Sequence, residues 1–284
     1  MQHAGPTLII FHGGLGSGQA ERILATARTA AARNTARVAV EAGFECVIFA
    51  TDSPSAFAGM PPAMRVDADT AGQPFDFAQR LRSVVARFGL ERPAVIGSGA
   101  LPLMAVSDFR LIAEPLESHE NAFVTNNFFS SDLCAWTPGS AIEKAGNFSR
   151  DNLLPRRLRD NCGLTPVILP RTTATQFDLD TPVDLAVLGL QESLSAELVQ
   201  AVAPVTKLEQ RLRSVMPVLC DRQGHLVVAG RVGSAAWQYM ERHFRDLSAS
   251  VGYIGRPADS CPAVGSHHIH AEQQAEILSR AFSQ

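Results

Sequence analysis

Thr7-Leu8-Ile9-Ile10-Phe11-His12-Gly13-Gly14-Leu15-Gly16-Ser17-Gly18 is the stretch on which the fold turns. Leu8 to Phe11 form a continuous apolar run, as expected of a strand buried on both faces. A glycine loop follows, then an Ala-rich segment, from about Gln19 to Ala42, with a helical pattern. Strand, glycine loop and helix start in succession make a generic phosphate cradle, because backbone N–H groups and the helix dipole converge on one spot. Gly13, Gly14, Leu15, Gly16 and Ser17 are the candidate nucleotide contacts. No Gly-Lys-Ser/Thr follows, so this is not a Walker A loop. The glycines fit Gly-x-Gly-x-x-Gly only loosely. That pattern also wants an acid at the end of the second strand, and Glu45 to Ala50 is followed by Thr51-Asp52. Asp52 is thus a candidate ribose contact. A tight turn without a ligand accounts equally well for the loop alone.

Downstream, residues 53–73 are rich in Pro, Ala and Gly and read as an irregular surface crossing. Phe77, Leu81, Val84, Val85 and Phe88 have helical spacing, and Ala94-Val95-Ile96 is a third buried strand ending in Gly97-Ser98-Gly99-Ala100. Successive strand–helix units imply a parallel sheet with right-handed crossovers. Ligands of such sheets sit outside the carboxyl ends of the strands, so Gly97 and Ser98 should share a crevice with the first loop. Ala122-Phe123-Val124 and Leu133-Cys134-Ala135-Trp136 read as paired strands. Between them lie Thr125, Asn126 and Asn127, which either bridge strand ends or read a polar substrate. Ser149 and Arg150 precede a helix containing Leu153, Leu154 and Leu158, and Val167 to Leu169 is another strand.

The second informative stretch is Phe177-Asp178-Leu179-Asp180-Thr181-Pro182-Val183-Asp184-Leu185. Asp178 and Asp180 alternate, so an extended backbone projects both carboxylates from one side. Thr181 reads as a helix N-cap with Pro182 in the first turn. Paired carboxylates at a strand end suit Mg2+, which prefers oxygen ligands and shares them with substrate phosphates. The bland account is that Asp180 caps the helix and Asp184 favours its dipole.

The 284 residues, 46% hydrophobic and 19% charged, support one large α/β domain, or one domain with an appendage. A formal net charge of -3, with Lys and Arg scattered, argues against a nucleic-acid partner. No run reaches bilayer length and no signal peptide pattern opens the chain, so a cytoplasmic location with no membrane partner is expected. Five cysteines, odd in number and far apart, fit reduced thiols, with Cys134 in the core. From about residue 191 the pattern changes to amphipathic helix. The expected division is therefore 1–190 and 191–284, the second part a smaller, mainly helical extension with a homodimer contact as one use for it. Gly230 to Ser234 reads as a tight turn sooner than an anion cradle, His267, His268 and His270 as a solvated tail, and Trp136 and Trp237 as packing.

In this order the pieces resemble the nucleotidyltransferases of the molybdenum-cofactor guanylyltransferase-like superfamily. The nearer likeness is to the 2-phospho-L-lactate and phosphoenolpyruvate guanylyltransferases of coenzyme F420 synthesis. Asp178 to Leu185 is similar to the family's Asp-hydrophobic-Asp-Thr-Pro-Glu-Asp-Leu signature, Thr125-Asn126 to its Thr-Asn segment, and Gly146 to Arg150 to its glycine and serine stretch. Gly97 to Leu103 sits where the family has Gly-Ala-Asp-Leu-Pro. The resemblance covers roughly the first two-thirds of the chain. It implies a GT-A-like, Rossmann-type three-layer sandwich, with Mg2+ on Asp178 and Asp180 and an NTP, GTP or CTP by preference, over the glycine loop. A small phosphorylated or carboxylate acceptor would lie at Thr125, Asn126, Asn127, Ser149 and Arg150. Two departures stand out. The family's loop Arg and Lys are absent, leaving Arg22, Arg28 or Arg33 as sources of charge, with Arg22 assigned the catalytic part. The strand-end Asp is also absent from Gly97 to Ala100. Three alternatives remain: a non-catalytic nucleotide- or phospho-metabolite-binding protein, a sugar-nucleotide-dependent glycosyltransferase, and an NAD-dependent oxidoreductase using Asp52.

Overall fold

A computed structural model describes residues 3–14, 16–70 and 72–220, together with the short strands Val227–Ala229 and Gly252–Ile254. Seven strands form one sheet: β1 (His3–His12), β2 (Cys46–Thr51), β3 (Met64–Ala68), β4 (Leu90–Gly97), β5 (Ala122–Thr125), β6 (Leu133–Thr137) and β7 (Thr165–Ile168). Their order is β3-β2-β1-β4-β6-β5-β7. All pairs are parallel except those of β6, which runs against both β4 and β5. The chain crosses from one side of β1 to the other between β3 and β4, which creates the switch point where open α/β sheets hold ligands.

Helices cover both faces. Leu8 and Ile10 of β1 pack with Ala32, Ala36 and Ala39 of α1 (Gln19–Glu41). Two further helices, α2 (Phe77–Phe88) and α3 (Val106–Ser118), lie on opposite faces, and Phe109, Ile112 and Leu116 of α3 join the α1 layer. Ile9 points the other way, toward Leu81 and Val84 of α2 and toward Leu154 and Leu158 of α4 (Leu154–Cys162). Alternate residues of one apolar strand thus feed two cores, as a three-layer sandwich requires. Each fully buried Leu or Ile contributes roughly 1.5–3 kcal/mol. The alanine face of α1 lets that helix approach the sheet closely. Trp136 is fully buried and donates its indole N–H to the Gly139 carbonyl, so it is packing. Cys134 is buried as well, and burial pushes its thiol far up.

Residues 53–73 are more ordered than their composition suggests. Pro54–Phe57 is a 3-10 turn, and Met64–Ala68 is the edge strand β3. Arg80 on α2 holds that edge, donating to Asp67 at 2.6 Å and Asp69 at 2.7 Å, and Arg87 also pairs with Asp67. This edge strand, with Val66 exposed and Asp67 buried, lacks the long apolar run that marked the inner strands.

Past the sheet come α5 (Pro182–Leu188), α6 (Ala196–Val202) and α7 (Thr206–Cys220). By internal contacts one compact unit is Met1–Thr206 and a second is Lys207–Gln284. Within the first unit α6 packs against α1, with Glu197 reaching Arg37 at 3.4 Å. No described helix is long and apolar enough to cross a membrane. Gly230 to Ser234, Trp237 and the three histidines near the C-terminus lie outside the described residues.

Candidate active site

A cavity of about 620 Å³ opens at the carboxyl ends of β1, β2 and β4. Gly13, Gly14, Asp52 and Gly97 line it, so the switch point gathers these sequence-chosen residues. Ser98 is buried just behind, its N–H donating to the Phe11 carbonyl at 2.9 Å. Asp52 is exposed on the cavity wall and already engaged with the glycine loop. Its Oδ2 accepts the Gly14 N–H at 2.8 Å and its Oδ1 the Ser53 hydroxyl at 2.9 Å, so the carboxylate stiffens the glycine loop.

The loop itself is already occupied by charge. Glu21, in the first turn of α1, lays its side chain against Gly16 and Gly18, and a Cβ added at Gly18 would collide with its carboxylate. An acidic side chain is favourable at this N-terminus, the place an incoming phosphate would also seek. Arg22 curls back onto the Ser17 carbonyl. Gly16 and Ser17 are exposed, while Leu15 lies outside the described residues.

The acidic stretch arrives on the other flank. Leu101 N–H donates to the Phe177 carbonyl, and Leu179 N–H to the Gly99 carbonyl, both at 3.0 Å, in an antiparallel bridge between Ala100 and Asp178. Residues 177–179 therefore dock as a short extended segment on the loop that ends β4. Arg28 locks the junction, donating to the Leu179 carbonyl at 2.8 Å and to Asp180 at 2.7 Å. Asp184 closes a capping box, its Oδ2 taking the Thr181 N–H at 2.7 Å and the Asp180 N–H at 3.1 Å. Helix capping belongs to Thr181 and Asp184, which leaves the carboxylates of Asp178 and Asp180 outside the cap. Burial, reinforced by the neighbouring Asp180, pushes the Asp178 carboxyl up to about 6, although its Oδ1 accepts the Leu179 N–H at 2.8 Å.

Of the residues assigned to an acceptor, Thr125 and Asn126 serve the interior. Thr125 Oγ1 meets Ser131 Oγ at 3.0 Å and the Leu133 carbonyl at 2.9 Å. Asn126 accepts the Asp132 and Leu133 N–H groups and donates to Asp132 Oδ2 at 2.9 Å and the Thr175 carbonyl at 3.1 Å. Asn127 Oδ1 takes the N–H groups of Phe129 and Ser130, and Ser149 and Arg150 are exposed away from the lining.

Reading the sequence left out Asp69, Asp132 and Asp151, which line the cavity with Asp52. The register Ile96 opposite Leu133 sets Asp132 level with Gly97, on the start of the reversed strand. Burial pushes the Asp132 carboxyl up, Asn126 opposes this, and Asp151 and Asp180 add to it. Its signal was a lone acid directly before an apolar strand. Among the described residues lining the cavity there is no Lys or Arg.

No family model matches this chain. Its fold is similar to that of a structure assigned as a nucleotide-diphospho-sugar transferase from Desulfovibrio desulfuricans, with a TM-score of 0.54 and 14% identity over 74% of this chain and 98% of the other. It is also similar to a nucleotidyl transferase from Methanothermobacter, with a TM-score of 0.50 and 15% identity over 65% and 95% of the two chains. The chain has the mixed, mostly parallel α/β sandwich shared by these nucleotidyl- and sugar-nucleotide-transferase structures.

Proposed function

We propose that the chain is a Mg2+-dependent nucleotidyltransferase that moves NMP from an NTP to a small acceptor with release of pyrophosphate. The observation that carries this is the seat of Asp178 beside the loop ending β4, near enough to the cavity-lining Asp132 for the two carboxylates to repel each other. A half-buried carboxylate held next to a second one, with its carboxyl raised to about 6, is a site short of positive charge. Two hard oxygen donors fit Mg2+, which keeps several waters and completes its shell with phosphate oxygens. No three His, Cys, Asp or Glu among the described residues are placed to hold a metal by themselves, so the protein would supply the pair and the nucleotide the rest. When bound, such an ion neutralises the phosphates and polarises the α-phosphorus.

The protein's own contribution is placement. Arg28 fixes Asp180 and the Leu179 carbonyl, and the capping box fixes the backbone between Asp180 and Asp184. The Gly13 and Gly14 backbone would orient the nucleotide, with Asp52 holding Gly14 in place. An acceptor oxygen would attack the α-phosphorus in line. The bond to the β-phosphate oxygen then breaks, and pyrophosphate leaves with the electron pair. The fold neighbours, transferases of nucleotides and of sugar nucleotides, support this reaction class. GTP or CTP as donor, a phosphorylated or carboxylate acceptor, the division near residue 190 and a homodimer contact stand as parts of the same proposal.

Two observations favour a second reading, a nucleotide-binding protein without turnover: Glu21 lies on the glycine loop, and among the described residues no Lys or Arg lines the cavity. A thermal-shift panel of GTP, CTP, UTP and ATP, each with and without Mg2+, separates the two when run beside a pyrophosphate-release assay. A ligand specific to the folded state raises the midpoint by mass action. The transferase requires one NTP to stabilise only with Mg2+ and to release pyrophosphate, both lost in Asp178→Ala. Metal-independent stabilisation without release would establish the binding protein.

A further inference from the structure

Phe75 stands in the loop between β3 and α2, immediately before the helix N-cap Asp76, which accepts the Gln79 N–H at 2.8 Å. An apolar residue in that position commonly packs on the fourth residue of the helix and fixes how the chain enters it. Here the fourth residue is Arg80, which is committed to Asp67 and Asp69. Phe75 stands against Phe11 instead, with ring centroids 6.1 Å apart and planes at 75°. An edge-on contact of that kind covers at most one face of a ring, and Phe75 remains 63% exposed.

A single exposed phenylalanine on a surface needs no explanation. Phe75 belongs to a row of rings. Phe11 meets Phe77 at 5.0 Å between centroids, and all three phenylalanines line the cavity at the switch point. That cavity, about 620 Å³ and mainly apolar with a few polar groups, has the size and make-up of a small-molecule site. Its charged groups are the carboxylates of Asp52, Asp69, Asp132 and Asp151, with no Lys or Arg among the described lining residues. Such a wall repels a polyphosphate and suits an uncharged flat ring with N–H groups at its edge. The phosphates are better placed toward Asp178, where a metal would offset their charge.

We propose that the cavity takes the base of the nucleotide, and that Phe75 is the residue on which that base stacks. The inference rests on the nucleotide reading above and narrows it. Every base has a π-face, so the ring selects for a base as such and leaves the choice among bases to the polar groups of the wall. Covering the open surface of Phe75 with a base also removes apolar area from water, which an unliganded cavity leaves exposed.

The test titrates the full chain calorimetrically with GTP, CTP and tripolyphosphate, each with Mg2+, and with guanosine and cytidine alone. Phe75→Ala, a change at an exposed loop position, should leave the fold intact. It should weaken the preferred NTP and its nucleoside about tenfold, the scale of one base stacked on an aromatic ring. Tripolyphosphate, which has no base, should bind wild type and variant within about twofold of each other. Phe75→Leu should weaken the NTP nearly as much as Phe75→Ala does. Phe75→Trp should keep its affinity, and quenching of the new indole by the NTP, beyond any change in wild type, would report the stacked ring directly. Equal NTP affinity in wild type and Phe75→Ala would overturn the assignment. An equal loss for tripolyphosphate would do the same, as would failure of every nucleoside and nucleotide to bind. Pyrophosphate release with an NTP KM unmoved by Phe75→Ala would remove Phe75 and leave the transferase standing. A base-dependent loss in Phe75→Ala, without pyrophosphate release by the wild type, would do the reverse.

Discussion

The two flanks of the crevice solve opposite electrostatic problems. On the glycine-loop flank the helix N-terminus already has its anion, because Glu21 lies over Gly16 and Gly18 and Asp52 takes the Gly14 N–H. On the other flank Asp178 and Asp180 stand together with Arg28 as their partner, and the Asp178 carboxyl is pushed up to about 6. One side is satisfied by its own carboxylates, and the other is left wanting a cation. The difference teaches that the loop's shape alone does not specify phosphate binding. In this chain a phosphate would be drawn to the crevice by what sits at Asp178.

The sharpest way to break that contrast is Asp178→Ala. Pyrophosphate release should fall at least about a thousandfold while the fold persists, because loss of a metal-holding carboxylate removes transition-state charge stabilisation. Circular dichroism would confirm the fold, and activity near the wild-type value would abolish the distinction between the flanks. Asn126→Ala should be next in size, acting on stability. It strips four hydrogen bonds, two from Asp132 and one each from Leu133 and Thr175, and about 2–4 kcal/mol should be lost in urea unfolding.

A smaller effect concerns pH. The Asp178 carboxyl is raised in the folded state, so its favourable contribution is present at low pH and is lost as pH rises through about 6. Asp178→Asn should therefore be more stable than wild type above pH 7, by about 1–2 kcal/mol after solvent screening, and the two should converge near pH 4. Chemical denaturation across that range would show it, and a constant difference would place the cause elsewhere. The smallest effect belongs to the opposite flank. Glu21→Gln should tighten Mg2+–NTP binding by about two- to fivefold, the scale of one charge at a helix N-terminus. Weaker binding would mean that Glu21 assists the nucleotide instead of competing with it.

How far the sequence could be read follows the same division. Leu8 to Phe11, Ala94 to Ile96 and Ala122 to Val124 are apolar enough to declare buried strands, and Thr181-Pro182 declared a helix start, as the capping box shows. The edge strand Met64–Ala68 stayed hidden because its order comes from Arg80 and Arg87 reaching across from another helix. The acidic wall was equally unreadable. Asp132 joins Gly97 through a strand register, and Asp151 reaches the same cavity from a 3-10 turn. Asn126 was visible as a polar residue at a strand end, but not as a clamp, since its partners are set by tertiary placement of Asp132 and Thr175. Glu21 carries no motif in the sequence, and only the conformation of its side chain shows that it covers the loop.

The antiparallel bridge between Ala100 and Asp178 has a consequence for how the protein can change. The residues that would define its chemistry are tied to the rim of the sheet by backbone contacts, by Arg28 and by the buried Leu179, outside the two main core clusters. A cut between β7 and Asp178 should thus yield a protein that still unfolds cooperatively and lacks the proposed reaction. In this architecture scaffold and trade are separately mutable, so a lineage could lose the proposed activity and keep the vessel.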